Sequence, residues 1–251
     1  MATINNETVG ISAEVAIANT FDVYVNPDYS CRADPKIAEY IQSGVSEAFD
    51  RFGIPIPVKH CAERQNPVDF LLYNGQTLSV KSNKEKKGKA APQVIGQPTS
   101  ETYFKIINET MGFDIHTELK NLNLKDEYEN RIKIFKKISV SRIDEIINVY
   151  WMHLLSCDYL LYIYNVITKK NKFLDGPRFR VFQKCYNPPN WDTDRFSFTR
   201  PLNLWNESNT LKYNDITIGE FQAHKKRNCL KFRFDLDGII CLLDNGIIYY
   251  N

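Results

Sequence analysis

Apolar residues recur at helical spacing near the start of the chain. In GISAEVAIANTF, from Gly10 to Phe21, Ala13, Val15, Ala16, Ile17 and Ala18 fall inside a predicted helix, with Ser12 at its N-cap. A second helix is predicted over Pro35–Phe52, ending before Gly53 because Pro55 and Pro57 oppose continuation. Two short strands follow, Val68–Leu72 and Gln76–Ser82, joined by a turn containing Asn74-Gly75. Lys84–Gly96, interrupted by Gly88 and Pro92, reads as a basic loop. Helices are expected from about Pro98 and over Arg142–Ser156, and an aromatic strand over Tyr159–Val166. This order predicts a mixed α/β core. Beyond Gly176, Pro177, Pro188, Pro189 and Pro201 punctuate short β-like runs, including Cys229–Phe234 and Ile239–Leu243. The expected division is a core over 1–176 and a β-rich C-terminal subdomain over 177–251, with a soft boundary that leaves one compact domain open.

Composition narrows the class. Hydrophobic residues make up 43% and charged residues 25%, with 14 Tyr and 15 Phe, enough for a sizeable core. No apolar run reaches the roughly 18 residues of a membrane span, and the first residues lack the pattern of a signal peptide, so a cytosolic protein is expected. Cys31, Cys61, Cys157, Cys185, Cys229 and Cys241 form no CxxC pair and no cluster with histidine. That spacing points to reduced thiols and away from zinc or a disulfide framework. Net charge is only +2, but local charge is concentrated. Five lysines lie between Lys81 and Lys89 against the single acid Glu85, and His224, Lys225, Lys226, Arg227, Lys231 and Arg233 form a second basic run. Each run suits either a solvated face or a phosphate-binding strip.

The strand pair carries the candidate chemistry. Phosphodiester hydrolysis needs a metal to polarise the phosphate and activate water, and a cation near the developing charge. A carboxylate on one strand and a lysine on its neighbour supply both, provided they share a face. A two-residue turn at Asn74-Gly75 would pair Asp69 with Val80 and put Lys81 on the opposite face. A three-residue loop, Tyr73-Asn74-Gly75, pairs Asp69 with Ser79. Asp69, Ser79 and Lys81 then share one face, and Val68, Phe70, Leu72, Leu78 and Val80 form an apolar opposite face. An ordinary amphipathic hairpin would show the same apolar side.

Asn66-Pro67-Val68-Asp69 followed by Ser79-Val80-Lys81 resembles the motif of the PD-(D/E)xK nuclease superfamily, and the chain over residues 10–166 resembles a type II restriction endonuclease. The resemblance implies a restriction-endonuclease-like αβα core with a central mixed sheet. It also implies Mg²⁺-dependent cleavage of double-stranded DNA at a short sequence by a homodimer in the cytoplasm of a prokaryotic cell, with a companion DNA methyltransferase. Asp69 would bind metal and Lys81 would orient or activate water. Ser79 would assist by hydrogen bonding, in a place where the family usually has Asp or Glu. Glu14, on the helix containing Gly10-x-x-x-Glu14, is the first candidate for the missing acid. Val80 completes the expected metal ligands, and Glu101 is the runner-up acid. Glu63 is close in sequence but its direction is unreadable.

Base-reading and phosphate-holding residues are also expected. Gln222, Arg227 and Asn228 suit base edges, whereas Lys225, Lys226 and Lys231 suit phosphates, and His224 and Arg233 belong to the same DNA-contacting group. Lys84, Lys89, Gln93 and Gln97, next to the catalytic strand, form a second candidate DNA-contacting group. His60, His116 and His153 stand alone and read as structural. A structure-specific repair or recombination nuclease, or a DNA-binding module on an inactive nuclease fold, are the competing functions.

Overall fold

Asn5 caps the first helix by accepting a hydrogen bond from Thr8 N at 2.8 Å, so α1 runs over Asn6–Thr20, starting four residues before the predicted Gly10. Ser12 lies inside it, its hydroxyl bonded back to the Thr8 carbonyl. The computed structural model describes residues 4–62, 66–85, 88–90, 95–168 and 170–250. It is a mixed α/β structure in two compact units, each built from two stretches of chain. One comprises Met1–Gly88 and Leu155–Lys184, the other Lys89–Leu154 and Cys185–Asn251. The chain leaves the first unit at Gly88 and re-enters it at Leu155, whereas the sequence suggested one division near residue 176.

In the first unit, α1 is followed by the short α2 (Pro27–Ser30), then α3 (Pro35–Gln42) and α4 (Val45–Phe52). The single helix expected over Pro35–Phe52 is therefore two. Gly44 sits at the break, where a Cβ would lie 2.7 Å from the Phe179 ring, so glycine permits that close approach. The strands are β1 (Pro57–His60), β2 (Phe70–Leu72) and β3 (Thr77–Ser82) and, after the excursion through the other unit, two more. In the numbering used here, β4 is Lys89–Ala90 of the second unit, β5 is Tyr159–Tyr164 and β6 is Arg178–Gln183. Among the described residues they form a five-stranded mixed sheet in the order β1-β2-β3-β5-β6, with β3 and β5 parallel and the other neighbours antiparallel.

The β2–β3 register is that of the three-residue loop. Phe70 pairs with Leu78 and Leu71 with Thr77, and Gly75 has φ +83°, which favours glycine. Energetics select it. Phe70, Leu72, Leu78 and Val80 are all buried with α1, α3 and α4 residues such as Ala13, Ile17, Ile37 and Phe49. Burying each such side chain contributes about 1.5–3 kcal/mol. A one-residue slip would forfeit much of that for any of them turned outward, more than the preference for a two-residue Asn-Gly turn can offset.

The second unit contains β4, the helices α5 (Ser100–Met111), α6 (Ile115–Asn121), α7 (Tyr128–Ser141) and α8 (Ile143–Leu154), and the C-terminal strands. These strands are β7 (Phe196–Phe198), β8 (Ser208–Tyr213), β9 (Ile216–His224) and β10 (Cys229–Asp235). They join β4 in an antiparallel sheet ordered β4-β10-β9-β8-β7. Phe221, Phe232 and Phe234 point from it into an aromatic core with Tyr103, Phe135 and Trp151. Ile239–Leu243, expected to be β-like, belongs instead to α9 (Leu236–Asp244). Asp235 caps this helix by accepting from Gly238 N, and Leu236, Ile239 and Leu242 are buried at three-residue intervals. A short apolar run cannot by itself distinguish strand from helix. No helix among the described residues is long and apolar enough to cross a membrane.

Candidate active site and nucleic-acid interface

Asp69 immediately precedes β2 and is held there by the ladder, since its N–H donates to the Leu78 carbonyl and its carbonyl accepts from Cys61 N. Its buried carboxylate collects donors. Oδ2 accepts from Val80 N at 2.5 Å and from Ser79 Oγ at 3.1 Å, and lies 3.6 Å from Lys81 Nζ. Lys81 Nζ in turn donates to Ser79 Oγ at 2.8 Å and to the Val80 carbonyl at 3.1 Å. Ser79 therefore links lysine to aspartate, accepting from one and donating to the other. A hydroxyl does both through one atom without adding charge. An acid in the same place would bring a second anion beside Asp69.

Glu14 reaches this region from α1 and is also buried. Its Oε2 accepts from Tyr29 Oη at 2.8 Å and lies 2.9 Å from His60 Nε2. Burial pushes the Glu14 carboxyl above its ordinary range; the His60 and Tyr29 bonds oppose the rise, while the Asp69 charge adds to it. Burial, with the charges of Glu14 and Asp69, also raises Tyr29 far above the usual phenol. The Cys157 thiol is raised by burial and then by the Asp69 charge. Two buried carboxylates thus feel each other, a like-charge arrangement that a divalent cation relieves.

The other acids differ. Glu101 is exposed on α5 and pairs with Arg131 at 3.3 Å in the second unit. Glu63 and Gln93 lie outside the described residues, as do Lys86 and Lys87. Lys84 is tied down in the first unit, its ammonium donating to the Ile4 carbonyl and to Asn171. His60, which the sequence presents as an isolated structural histidine, is a direct partner of Glu14, and so is Tyr29, which no sequence motif marks. His116 pairs with Asp126, and His153 is half-buried with its pKa lowered by that burial.

The antiparallel sheet of the second unit carries a polar face. Along β9 and β10, Glu220, Gln222, His224, Lys231 and Arg233 alternate with buried Phe221, Ala223, Leu230, Phe232 and Phe234. Gln222 sits opposite Lys231 and Glu220 opposite Arg233. Glu220 forms an ion pair with Lys89 of β4, lies 3.6 Å from Arg233 and accepts from Gln222 at 2.5 Å. Gln222 in turn lies 3.2 Å from His224 Nε2. Burial would raise Glu220, but bonds from Lys89 and Gln222 and the charges of Lys89 and Arg233 hold it below its ordinary range. Burial lowers both His224 and Lys231, and neighbouring cations lower them further.

Lys225, Lys226, Arg227 and Asn228 form the exposed turn between these strands. Tyr128 braces its base: its hydroxyl bonds the carbonyls of His224 and Cys229 and accepts from Cys229 N. Asn228 accepts from Ser100 at 2.6 Å, which commits that amide oxygen internally. Gln97 is exposed.

The chain is similar to a type II restriction enzyme. That relative, CviAII of Paramecium bursaria Chlorella virus 1, is 31% identical over 178 residues, which is 71% of this chain. The chain spans 44% of the relative's length. No family model matches the chain, and no solved structure does.

Proposed function

We propose that this chain is a type II restriction endonuclease with a restriction-endonuclease-like core, hydrolysing double-stranded DNA at a short sequence with Mg²⁺ and acting as a homodimer. The observation that carries the reading is the Asp69–Ser79–Lys81 face with buried Glu14 close enough to feel the Asp69 charge. Similarity to a protein described as a type II restriction enzyme supports the same class of substrate.

The donors fit Mg²⁺. Among the described residues no three His, Cys, Asp or Glu side chains gather as a metal cage. Mg²⁺ needs no such cage, because it commonly keeps several waters and binds through one or two carboxylates. Asp69 and Glu14 would hold it, with the Val80 carbonyl, which also accepts from Lys81, as the third ligand. When bound, the ion would polarise the phosphate and lower the pKa of an attacking water. Lys81 supplies fixed positive charge beside Asp69, and Ser79 and the Val80 carbonyl fix the ammonium's position. The pre-set charge can then oppose the negative charge that develops at phosphate without reorganising.

Digestion of a plasmid of known sequence, with end mapping in Mg²⁺, Mn²⁺ and EDTA, tests the reading. Discrete fragments with a common end sequence, lost in EDTA, are expected. Cutting only at mismatches or junctions would indicate a structure-specific nuclease. Binding without cutting in either metal would indicate an inactive DNA-binding module.

In the same reading, the polar sheet face and its turn contact DNA. Gln222→Ala should cost about 1–3 kcal/mol on the cognate duplex and little on random DNA. Lys226→Ala should weaken both and flatten the salt dependence by about one unit. Titrations across salt with Ca²⁺ as a non-cleaving metal check this. Parent-like cognate binding by both variants would move base reading elsewhere.

A further inference from the structure

We infer that His60 and Tyr29 are positioning residues that hold the Glu14 carboxylate in its metal-binding pose. This inference rests on the endonuclease reading. Glutamate has a long, rotatable side chain, and α1 alone fixes only its base. Two donors from separate elements converge on one oxygen: Tyr29 Oη from α2 at 2.8 Å, and His60 Nε2 from the end of β1 at 2.9 Å. The donors are themselves constrained. The His60 ring packs edge-on against Tyr29, with centroids 4.9 Å apart, and against Phe70 at 5.1 Å. His60 pairs in the sheet with Phe70, the residue after Asp69, so the strand that aims Asp69 also places the imidazole holding Glu14. The His60 side chain is only 2% exposed, which leaves it little room to turn away. Its role is orientation, because it reaches the site through Glu14.

Removing a partner behind a metal ligand typically weakens metal affinity or activity by about 10–100-fold. The test measures Mn²⁺ binding to the full chain without DNA, from the paramagnetic resonance signal of free Mn²⁺, beside the Mg²⁺ dependence of plasmid cleavage. His60→Ala should raise the half-saturating Mn²⁺ concentration by about 10-fold or more, and Tyr29→Phe by a smaller factor. His60→Gln, whose amide N–H can occupy the place of Nε2, should recover most of the affinity. A residue that only filled space would change the melting temperature without this pattern. Parent-like Mn²⁺ binding by folded His60→Ala, or equal weakening in His60→Gln and His60→Ala, overturns the role of His60. Should His60→Ala fail to fold, His60→Gln and Tyr29→Phe decide: near-parent binding by the first with weakened binding by the second supports the inference, and any other pair of results overturns it. Failure of the parent to cut DNA would count against the endonuclease reading, while Mn²⁺ binding would still report on Glu14.

Discussion

Lys81→Ala is expected to lower plasmid cleavage by at least about 10²-fold, and Asp69→Asn to do the same, while both proteins should keep the parent's circular dichroism. The magnitude follows from losing one pre-organised charge or one metal ligand at a reacting phosphate. Asn is the informative replacement for Asp69. It keeps a carbonyl oxygen for Val80 N and Ser79 Oγ, which alanine would leave without an acceptor in a buried setting. Lys81 is partly exposed, so its loss leaves Ser79 and the Val80 carbonyl accessible to water. The measurement is single-turnover cleavage at saturating enzyme, which separates chemistry from DNA binding. Near-parent rates in either folded variant would exclude this face as the catalytic centre.

Glu14→Gln should lose cleavage by a similar factor and at the same time stabilise the metal-free protein. The folded-state pKa of Glu14 is raised, first by burial and also by the Asp69 charge, against the His60 and Tyr29 bonds. A raised carboxyl contributes stability that is fully present below its unfolded pKa, about 4.3, and is lost as pH rises through the folded value. Above the ordinary carboxylate range the parent therefore carries the cost of burying this group, as a charge or by taking up a proton, that glutamine lacks, while glutamine's carbonyl can still accept from Tyr29 and His60. A gain of roughly 1 kcal/mol would raise the melting temperature by about 2–4 °C in EDTA. The difference should shrink as pH falls to the ordinary carboxylate range. Adding Mg²⁺ should narrow or reverse the difference, because the parent, with both carboxylates, gains more binding energy in the folded state than a variant left with Asp69 alone. A variant no more stable than the parent near neutral pH, or an advantage that grows on acidification, would contradict the raised pKa.

The strand pair was legible because its alternatives differ in a physical consequence. Only a three-residue loop separates Asp69, Ser79 and Lys81 from the apolar side chains, and the observed pairing of Phe70 with Leu78 has that register. His60 and Tyr29 were not legible. They lie 46 and 15 residues from Glu14, at spacings that match no motif, and meet it only through tertiary packing. The runs at Pro35–Phe52 and Ile239–Leu243 misled for a local reason. Apolar content marked buried segments, but a glycine break and an aspartate cap decided where helices stopped and started. The C-terminal strands were expected, though not their sharing a unit with residues 89–154, since sequence order does not reveal which distant stretches pack together.

The parallel pairing of β3 with β5 has a consequence for biosynthesis. Thr77 and Asp158, at the start of this pairing, bond to each other across 81 residues of chain. While those residues are still being added on the ribosome, the strand carrying Ser79 and Lys81 has a neighbour on one side only. The sheet holding the candidate catalytic face cannot close until β5 has been synthesised and has left the exit tunnel. The intervening segment reaches the second unit first, but its own β10 comes later still. Each unit thus closes only once a stretch far along the chain from its first strand has been made, and such distant pairings are expected to close slowly.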